Sequence, residues 1–374
     1  MFGASGHTGR FVVSELARRG ITVVLAGRDS EKLFALQRAH PAFEIRVGSI
    51  DDPASLDQTL LGGSLVINCA GPFLDTAAPL MEAALRARIH YLDVTAEQAV
   101  ALAAFEKFSD AARTAGVLIM PSVAFYGALG DLLATAAMRN WPTTDEVQIA
   151  MALDSWRPTR GTRLTGERNT ARRLVFSNNR LSPIVDPPPK LQWTFPAPFG
   201  KQELIALPLA ETIVISRHLS VPEIHAYINL APLDDLHNPS TPPPTPADER
   251  GRSTQTFVME AKVHRGKKSA APWLRDAIST RSLLRLSSRP QSASSLERRV
   301  PLVWQHRVKS SMHKHSCKRS PPSTSPSSGQ IHPDEARPSR SIVCQPSRRS
   351  ALVFRYVLQS SNVARQPDPA ITRQ

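Results

Sequence analysis

The sequence has 374 residues, 41% of them hydrophobic, and a formal net charge of +14. That length suits two domains with their own cores. The three cysteines, Cys69, Cys317 and Cys344, follow no ligand spacing, which excludes a disulfide framework and a metal ribbon and points to a reducing, cytoplasmic setting. No signal-peptide pattern is present, and the most apolar stretch, Val117 to Met138, is broken by Pro121, Gly127, Gly130 and Asp131, so no membrane span is expected. The charge is uneven. Residues 265–374 hold 21 Lys and Arg against 5 Asp and Glu, a net of +16, and residues 1–264 are nearly neutral at −2.

The chain opens on Met1-Phe-Gly-Ala-Ser-Gly-His-Thr-Gly-Arg10. Gly3, Gly6 and Gly9 fall at three-residue spacing, and Phe11, Val12, Leu16 and Ala17 share one face at helical spacing. This is the geometry of a dinucleotide fingerprint: a tight turn, a close backbone approach to a pyrophosphate, and close helix–strand packing, with the helix N-terminus facing the phosphates. Ser5, His7 and Thr8 lie within the same turn and join the candidate cofactor contacts. Only Met1 and Phe2 stand where a strand of about five residues is expected. Four missing buried side chains at roughly 1.5–3 kcal/mol each represent about 6–12 kcal/mol. The expectation is that the true start lies upstream or that the domain is weakened.

Ile21 to Ala26 reads as the second strand, ending at Gly27-Arg28. An acidic residue about 20 positions past the glycines would bind a ribose hydroxyl and select NAD; Arg28 suits a 2′-phosphate instead, so NADP is preferred over NAD. Ser30 is expected to cap a helix to about His40, and Phe43 to Val47 to form a third strand. Pro53 fits the first position of a helix, and Asp51 before it either reaches the adenine edge or is a plain helix-entry residue.

Leu65 to Ala70 reads as a fourth strand running into Asn68-Cys69-Ala70-Gly71-Pro72-Phe73. Strand ends on this edge of a doubly wound sheet are where ligands sit, so these six residues are candidate cofactor contacts, with Cys69 suited to packing more than to nucleophilic chemistry. A helix over Thr76 to Ala87, a fifth strand over Tyr91 to Val94, a helix over Gln98 to Ala115, a sixth strand over Val117 to Met120 and a helix over Asp131 to Met138 follow. Asp93, an acid inside a buried strand, needs a partner. Asp93 and Tyr126 both fall on the ligand edge and are the candidate catalytic acid–base residues. No metal ligand set is expected.

After Trp141 the texture changes. Val147 to Leu153, Leu174 to Phe176, Leu191 to Phe195, Thr212 to Ser216, His225 to Leu230 and Thr256 to Val263 read as strands with few helices between them, a mostly antiparallel sheet in an α+β domain. Arg157, Arg160, Arg163, Arg168, Arg172 and Arg173 read as a solvated loop or as a contact for an anionic group. The fold expected is α/β: a Rossmann-type doubly wound parallel sheet with a truncated first strand (1–138), a second α+β domain (139–264), and a basic, Ser-rich, disordered tail (265–374).

The N-terminal half resembles the saccharopine dehydrogenase-like family of NAD(P)-dependent oxidoreductases. The resemblance is carried by Gly3-Ala-Ser-Gly-His-Thr-Gly-Arg10, Leu25-Ala-Gly-Arg28, Asn68 to Phe73, His90-Tyr-Leu-Asp-Val-Thr95 and Phe125-Tyr-Gly-Ala-Leu-Gly-Asp-Leu132. It implies a nicotinamide cofactor, a cleft for hydride transfer with the Asn68 to Phe73 loop near the nicotinamide half, and a carbonyl, imine or enoyl substrate. The family's return segment, of the type Gly-Arg-Asp-Ile-Tyr-Ala, is not visible here, although the codons of Asp276 to Arg281 permit it in another reading frame. An out-of-frame translation beyond about Arg265 is the resulting expectation. The function expected is an NADP-dependent oxidoreductase acting on a small molecule, with a homodimer open as its assembly. The alternatives are a non-catalytic NADP-binding regulator and an inactive, frameshifted family member. Nucleic-acid binding is not expected, since the basic residues of the tail are scattered without aromatic interleaving.

Overall fold

A computed structural model of the protein describes residues 1–138, 141–247, 252–266, 268–271 and 273–279. Two sheets organise them. The first is parallel. β1 (Leu25–Gly27) pairs with β2 (Ile45–Val47), and β3 (Leu65–Asn68) pairs with β4 (His90–Asp93), which pairs with β5 (Ile119–Met120). Phe2 joins the two halves. It forms parallel bridges to Ala26 and to Asn68, its N–H donates to Ile67 O and its carbonyl accepts from Cys69 N–H, so one residue serves as the central rung where a first strand is expected. With Phe2 counted, the spatial order is that of a doubly wound dinucleotide-binding sheet.

The helices between these strands are α1 (His7–Arg18), α2 (Ser30–Ala39), α3 (Pro53–Leu60), α4 (Phe73–Arg86), α5 (Gln98–Ala115) and α6 (Gly127–Met138). Val12, Val13 and Leu16 are the buried apolar residues of α1, and Phe11 is only half-buried. The cap of α2 differs from the expectation at Ser30. Asp29 is the N-cap and accepts a hydrogen bond from Lys32 N at 3.0 Å, because a carboxylate one residue earlier meets the helix N–H groups directly. Pro53 opens α3 as expected, behind an Asp52 cap. One core brings Leu56, Leu60, Leu80, Met81, Val100 and Phe108 from α3, α4 and α5 against Phe2, Val66 and Tyr91 of the sheet.

The second sheet is mostly antiparallel. Its main path runs β13 (Lys268–Ala270), β12 (Arg252–Arg265), β6 (Glu146–Leu153), β11 (Glu223–Asn229), β10 (Lys201–Ala206), β9 (Lys190–Thr194). β14 (Trp273–Ser279) also pairs with β12, and β7 (Leu174–Ser177) and β8 (Arg180–Pro183) attach beside β11. Only β6 and β11 run parallel. One face packs Val147, Ile149, Met151, Ile228, Phe257 and Met259 under α6; the other buries Ala150, Ala152, Trp193, Phe195 and Val258. The alternation along β6 and β12 is the period of two that a sheet covered on both faces requires.

Three expectations are corrected. Thr212 to Ser216 is not a strand but part of a helix, α8 (Ala210–Ser216); its run of β-branched residues is buried on every side, and a short apolar run does not distinguish helix from strand. The arginine-rich stretch is not an open loop. Arg160–Arg168 forms α7, with a Thr159 side-chain cap, Arg168 paired to Asp75 and Arg163 donating to the carbonyls of Asn238 and Thr241. A further helix, α9 (Ala231–His237), and β13 and β14 were not expected; the chain continues past residue 264 as strands. The remainder of the basic tail, residues 280–374, lies outside the described residues.

Candidate functional site

The opening turn is built for close approach. Gly3 has φ +73°, and a Cβ there would fall 2.7 Å from Ala70 N and 2.8 Å from the Cys69 carbonyl carbon. A Cβ on Gly9 would fall 2.1 Å from Gly3 O. The turn therefore folds against the Asn68 to Phe73 loop and against the start of α1 at once, which only glycine permits. Gly6 is the N-cap of α1, is exposed and offers no side chain to the helix. The first intrahelical bond runs from Arg10 N to Gly6 O, so the N–H groups of His7, Thr8 and Gly9 have no intrahelical acceptor. Together with the positive end of the helix dipole they fit a pyrophosphate. Ser5, His7 and Thr8 are half-buried around this opening, and Arg28 is exposed just past β1, beside the Asp29 cap. Asp51 is exposed in the β2–α3 connection and accepts from Ser49 Oγ at 3.3 Å.

The neighbouring loop is held from below. Asn68 is fully buried; its Oδ1 accepts from Ala70 N at 2.9 Å and its Nδ2 donates to Thr76 Oγ1 and Tyr91 Oη, both at 3.2 Å. Cys69 is buried, and desolvation pushes its thiol up to about 12, which leaves it a packing residue. Gly71 is exposed at the loop tip, Pro72 and Phe73 are half-buried, and Thr165 of α7 comes near Gly71, where a Cβ would meet its Oγ1 at 3.5 Å. Pro72 gives α4 no side-chain cap. Glu97, from the turn before α5, supplies one: Oε1 accepts from Phe73 N at 2.9 Å and Oε2 from Leu74 N at 3.2 Å. Nothing local in the sequence marks Glu97, because the cap is donated across 23 residues.

The two residues expected to handle a proton sit in different environments. Asp93 is closed to solvent, and both oxygens are engaged: Oδ1 accepts from Ser122 N at 2.7 Å and Thr95 N at 3.0 Å, and Oδ2 from Tyr91 Oη at 3.0 Å. Burial raises its pKa to about 6 against these hydrogen bonds. The geometry makes Asp93 a positioning residue. It fixes Ser122, whose φ of +62° is left-handed, at the turn leading into α6. Tyr126, on the same turn, is half-buried, stacks on Trp156 with ring centroids 6.0 Å apart, and lines a cavity of about 20 Å³. Burial, then the neighbouring Glu211, raises its pKa.

Glu211 lines the same cavity. It is 3% exposed, and its Oε1 accepts from Leu209 N at 2.8 Å while Oε2 is buried without a hydrogen-bond partner. Desolvation raises its pKa to about 7, with Arg173 acting in the opposite sense. The sequence carried one signal for it, a lone acid at the head of an otherwise apolar run. Among the described residues no group of His, Cys, Asp and Glu could hold a metal, and no helix is long and apolar enough to cross a membrane.

Residues 1–120 match the family model described as the saccharopine dehydrogenase NADP binding domain. Over those residues the chain is similar to the saccharopine dehydrogenase NADP binding domain. A saccharopine dehydrogenase-like oxidoreductase of Bos taurus is 31% identical over 150 residues, 35% of each chain. A Mycobacterium tuberculosis protein named for trans-acting enoyl reduction is 25% identical over 138 residues, covering 35% of this chain and 33% of its own. The solved apo saccharopine dehydrogenase (L-Glu forming) of Saccharomyces cerevisiae matches at 12% identity with a TM-score of 0.49, over 74% of this chain and 84% of that one. The matched part spans about a third of the length of the two curated relatives. The glycine turn, β1 to β5 and the Asn68 to Phe73 loop all lie within the residues that define this NADP-binding domain.

Proposed function

We propose that the protein is an NADP(H)-dependent oxidoreductase acting on a small molecule with a carbonyl, imine or enoyl group. The observation that carries the proposal is the turn at Gly3, Gly6 and Gly9, where added Cβ atoms would fill the space that backbone and phosphate need and where α1 presents uncapped N–H groups. Gly3 to Gly9 hold the pyrophosphate, Arg28 the 2′-phosphate, and Asp51 lies toward the adenine end. The loop from Asn68 to Phe73 borders the nicotinamide half. NADPH, when bound, supplies a hydride. The chain's own part is to orient and to keep the loop rigid. Asn68 and Thr76 tie its start, Glu97 its end, and Asp93 sets the opposing turn at Ser122.

The test is titration of the full chain with NADPH and, separately, NADH, read by cofactor fluorescence. Saturable binding that favours NADPH by about tenfold, equal to roughly 1.4 kcal/mol, supports both the site and the role of Arg28. Equal affinities overturn the NADP preference, and no binding of either cofactor overturns the reading. A protein that binds NADPH but reduces no aldehyde, imine or enone is a cofactor-binding regulator instead.

A further inference from the structure

The segment between β6 and β7 crosses the carboxyl edge of the parallel sheet. At its start Trp156 stacks on Tyr126, in the turn after β5, with ring centroids 6.0 Å apart. At its end α7 reaches the loop after β3. Thr165 Oγ1 stands 3.5 Å from where a Cβ on Gly71 would lie, and Arg168 pairs with Asp75 in the first turn of α4. The pair is two-pronged. Arg168 Nη2 donates to Asp75 Oδ1 at 2.9 Å and to Oδ2 at 3.0 Å, and Nε donates to Oδ2 at 3.3 Å. β4 lies between β3 and β5, so residues 156–168 form a strap from one side of the ligand edge to the other.

The end of the strap is weakly held. No residue of α7 is buried. Gly161 and Gly166 lie inside its nine residues, and a Cβ on Gly166 would meet nothing within 4 Å, so packing does not require glycine there while the helix loses intrinsic stability to it. A helix this short is marginal by itself in water. Arg163 ties its middle to the carbonyls of Asn238 at 3.1 Å and Thr241 at 3.0 Å, beyond α9. Among the described residues, one ion pair, its side chains 60% and 34% exposed, holds α7 to α4.

We propose that Arg168 is a positioning residue, and that its pair with Asp75 is the latch that holds α7 as a cover over the Gly71 end of the cofactor loop. The proposal rests on the oxidoreductase reading above, in which that loop borders the nicotinamide half. With the latch made, α7 closes the gap between the Gly71 tip and the Tyr126 turn, and the cofactor leaves only after the pair has parted. With the latch broken, the strap swings from its root at Trp156 and Arg163, and the edge of the sheet is open for entry and release. An exposed ion pair suits this use. It is worth little against water, so it opens often, whereas its bidentate geometry returns α7 to one place each time. Arg168 acts through Asp75 and α7 and not on the phosphate turn, so it sets the residence time of the cofactor more than its recognition.

The test uses the full chain and reads opening and release separately. Opening is read without cofactor by trypsin, which cuts after Arg160 and Arg163 once the strap is free, with the cuts mapped by mass spectrometry. Arg168→Ala is expected to speed cleavage at these two sites by about twofold to fivefold, the factor that one exposed ion pair supplies. Release is read by stopped-flow fluorescence as excess NADP⁺ displaces NADPH, and the dissociation rate should rise by the same factor. Saturating NADPH should slow cleavage of the wild type, because the cofactor favours the closed strap. Asp75→Asn should match Arg168→Ala, and the double variant should add nothing to either. Arg86→Ala, which removes a comparable exposed pair with Asp57 at 2.8 Å between α4 and α3, should leave both rates at wild-type values. A wild type that binds no NADPH overturns the oxidoreductase reading. Unchanged cleavage in Arg168→Ala overturns the latch whether or not NADPH binds. Faster cleavage with an unchanged NADPH dissociation rate overturns the cover. Additive effects of Arg168→Ala and Asp75→Asn, or an equal rise in Arg86→Ala, would trace the change to general destabilisation and overturn the proposal as well.

Discussion

Gly9 sits directly over the carbonyl of Gly3: a Cβ on Gly9 would lie 2.1 Å from that oxygen and 2.8 Å from Ala4 O. No side chain on Gly9 can be accommodated without moving the turn, because both neighbours are backbone. Gly9→Ala is expected to destabilise the protein by about 1–3 kcal/mol through overpacking. It also shifts the Gly3 turn away from its phosphate geometry, so NADPH binding should weaken by more than tenfold, roughly 1.4 kcal/mol or more. Urea unfolding and NADPH fluorescence titration read the two effects separately. A variant with wild-type stability and affinity would show that the turn is not the phosphate cradle.

Arg28 stands exposed at the end of β1, next to a carboxylate already committed to capping α2. Asp29 is therefore poorly placed to compete for a ribose hydroxyl, and the guanidinium is the free recognition group at that corner. Arg28→Asp is expected to reverse the charge met by a 2′-phosphate and lower the NADPH-to-NADH preference by about 10–100-fold, the equivalent of one charge-assisted contact. The ratio of the two dissociation constants is the measurement, and an unchanged ratio would assign cofactor selection elsewhere.

The backbone geometry of the glycine turn and the place of Arg28 just past β1 were legible because they depend on short-range spacing. Glycines three apart before an apolar helical stripe, and a basic residue after the next strand, specify their geometry within 30 residues. The same holds for α5, whose observed span, Gln98–Ala115, is the one that its composition predicts. Residues whose role depends on distant contacts were not legible. Glu97 caps a helix that begins earlier in the chain, and Arg173 faces Glu211 across 38 positions. Glu211 itself was hidden by the Thr212 to Ser216 run. A strand and a helix buried all round present the same apolar string, and only packing against α5, α6 and β11 selects the helix. Asp93 was found together with its need for a partner, but the donors it meets, the backbone N–H groups of Ser122 and Thr95, cannot be read from residue type.

The buried state of Asp93 has a consequence for stability. Its carboxyl titrates near pH 6 in the folded protein, raised by desolvation from 3.8. Between these values the folded state holds a proton that the unfolded state has released. Stability therefore falls as pH rises from about 4 to about 6, by up to about 3 kcal/mol, and the penalty is constant above that window. Asp93→Asn should flatten this part of the profile. Urea midpoints of both proteins across the window provide the check. A wild-type profile that rises over the same range would show that Asp93 is better solvated, or more strongly stabilised as an anion, than the structure indicates.

Glu97 offers the sharpest separation between holding the cofactor loop and holding the fold. Its two oxygens satisfy the N–H groups of Phe73 and Leu74, which open α4, and Pro72 before them has neither a side-chain acceptor nor an N–H of its own. Burial raises the Glu97 pKa, yet the group still accepts both bonds. Glu97→Ala leaves two helix-terminal donors unsatisfied, at about 1–3 kcal/mol in total stability. Glu97→Gln keeps one acceptor oxygen and should recover about half of that loss. The loop from Asn68 to Phe73 remains tied at Asn68 and Thr76, so NADPH affinity, which depends mainly on the phosphate turn, should change by less than about threefold, well under 1.4 kcal/mol. The rate of NADPH oxidation should fall further than affinity does, because the loop end proposed to border the nicotinamide is the end released. A variant that loses affinity and rate in equal measure would place Glu97 among the residues that hold the cofactor as a whole.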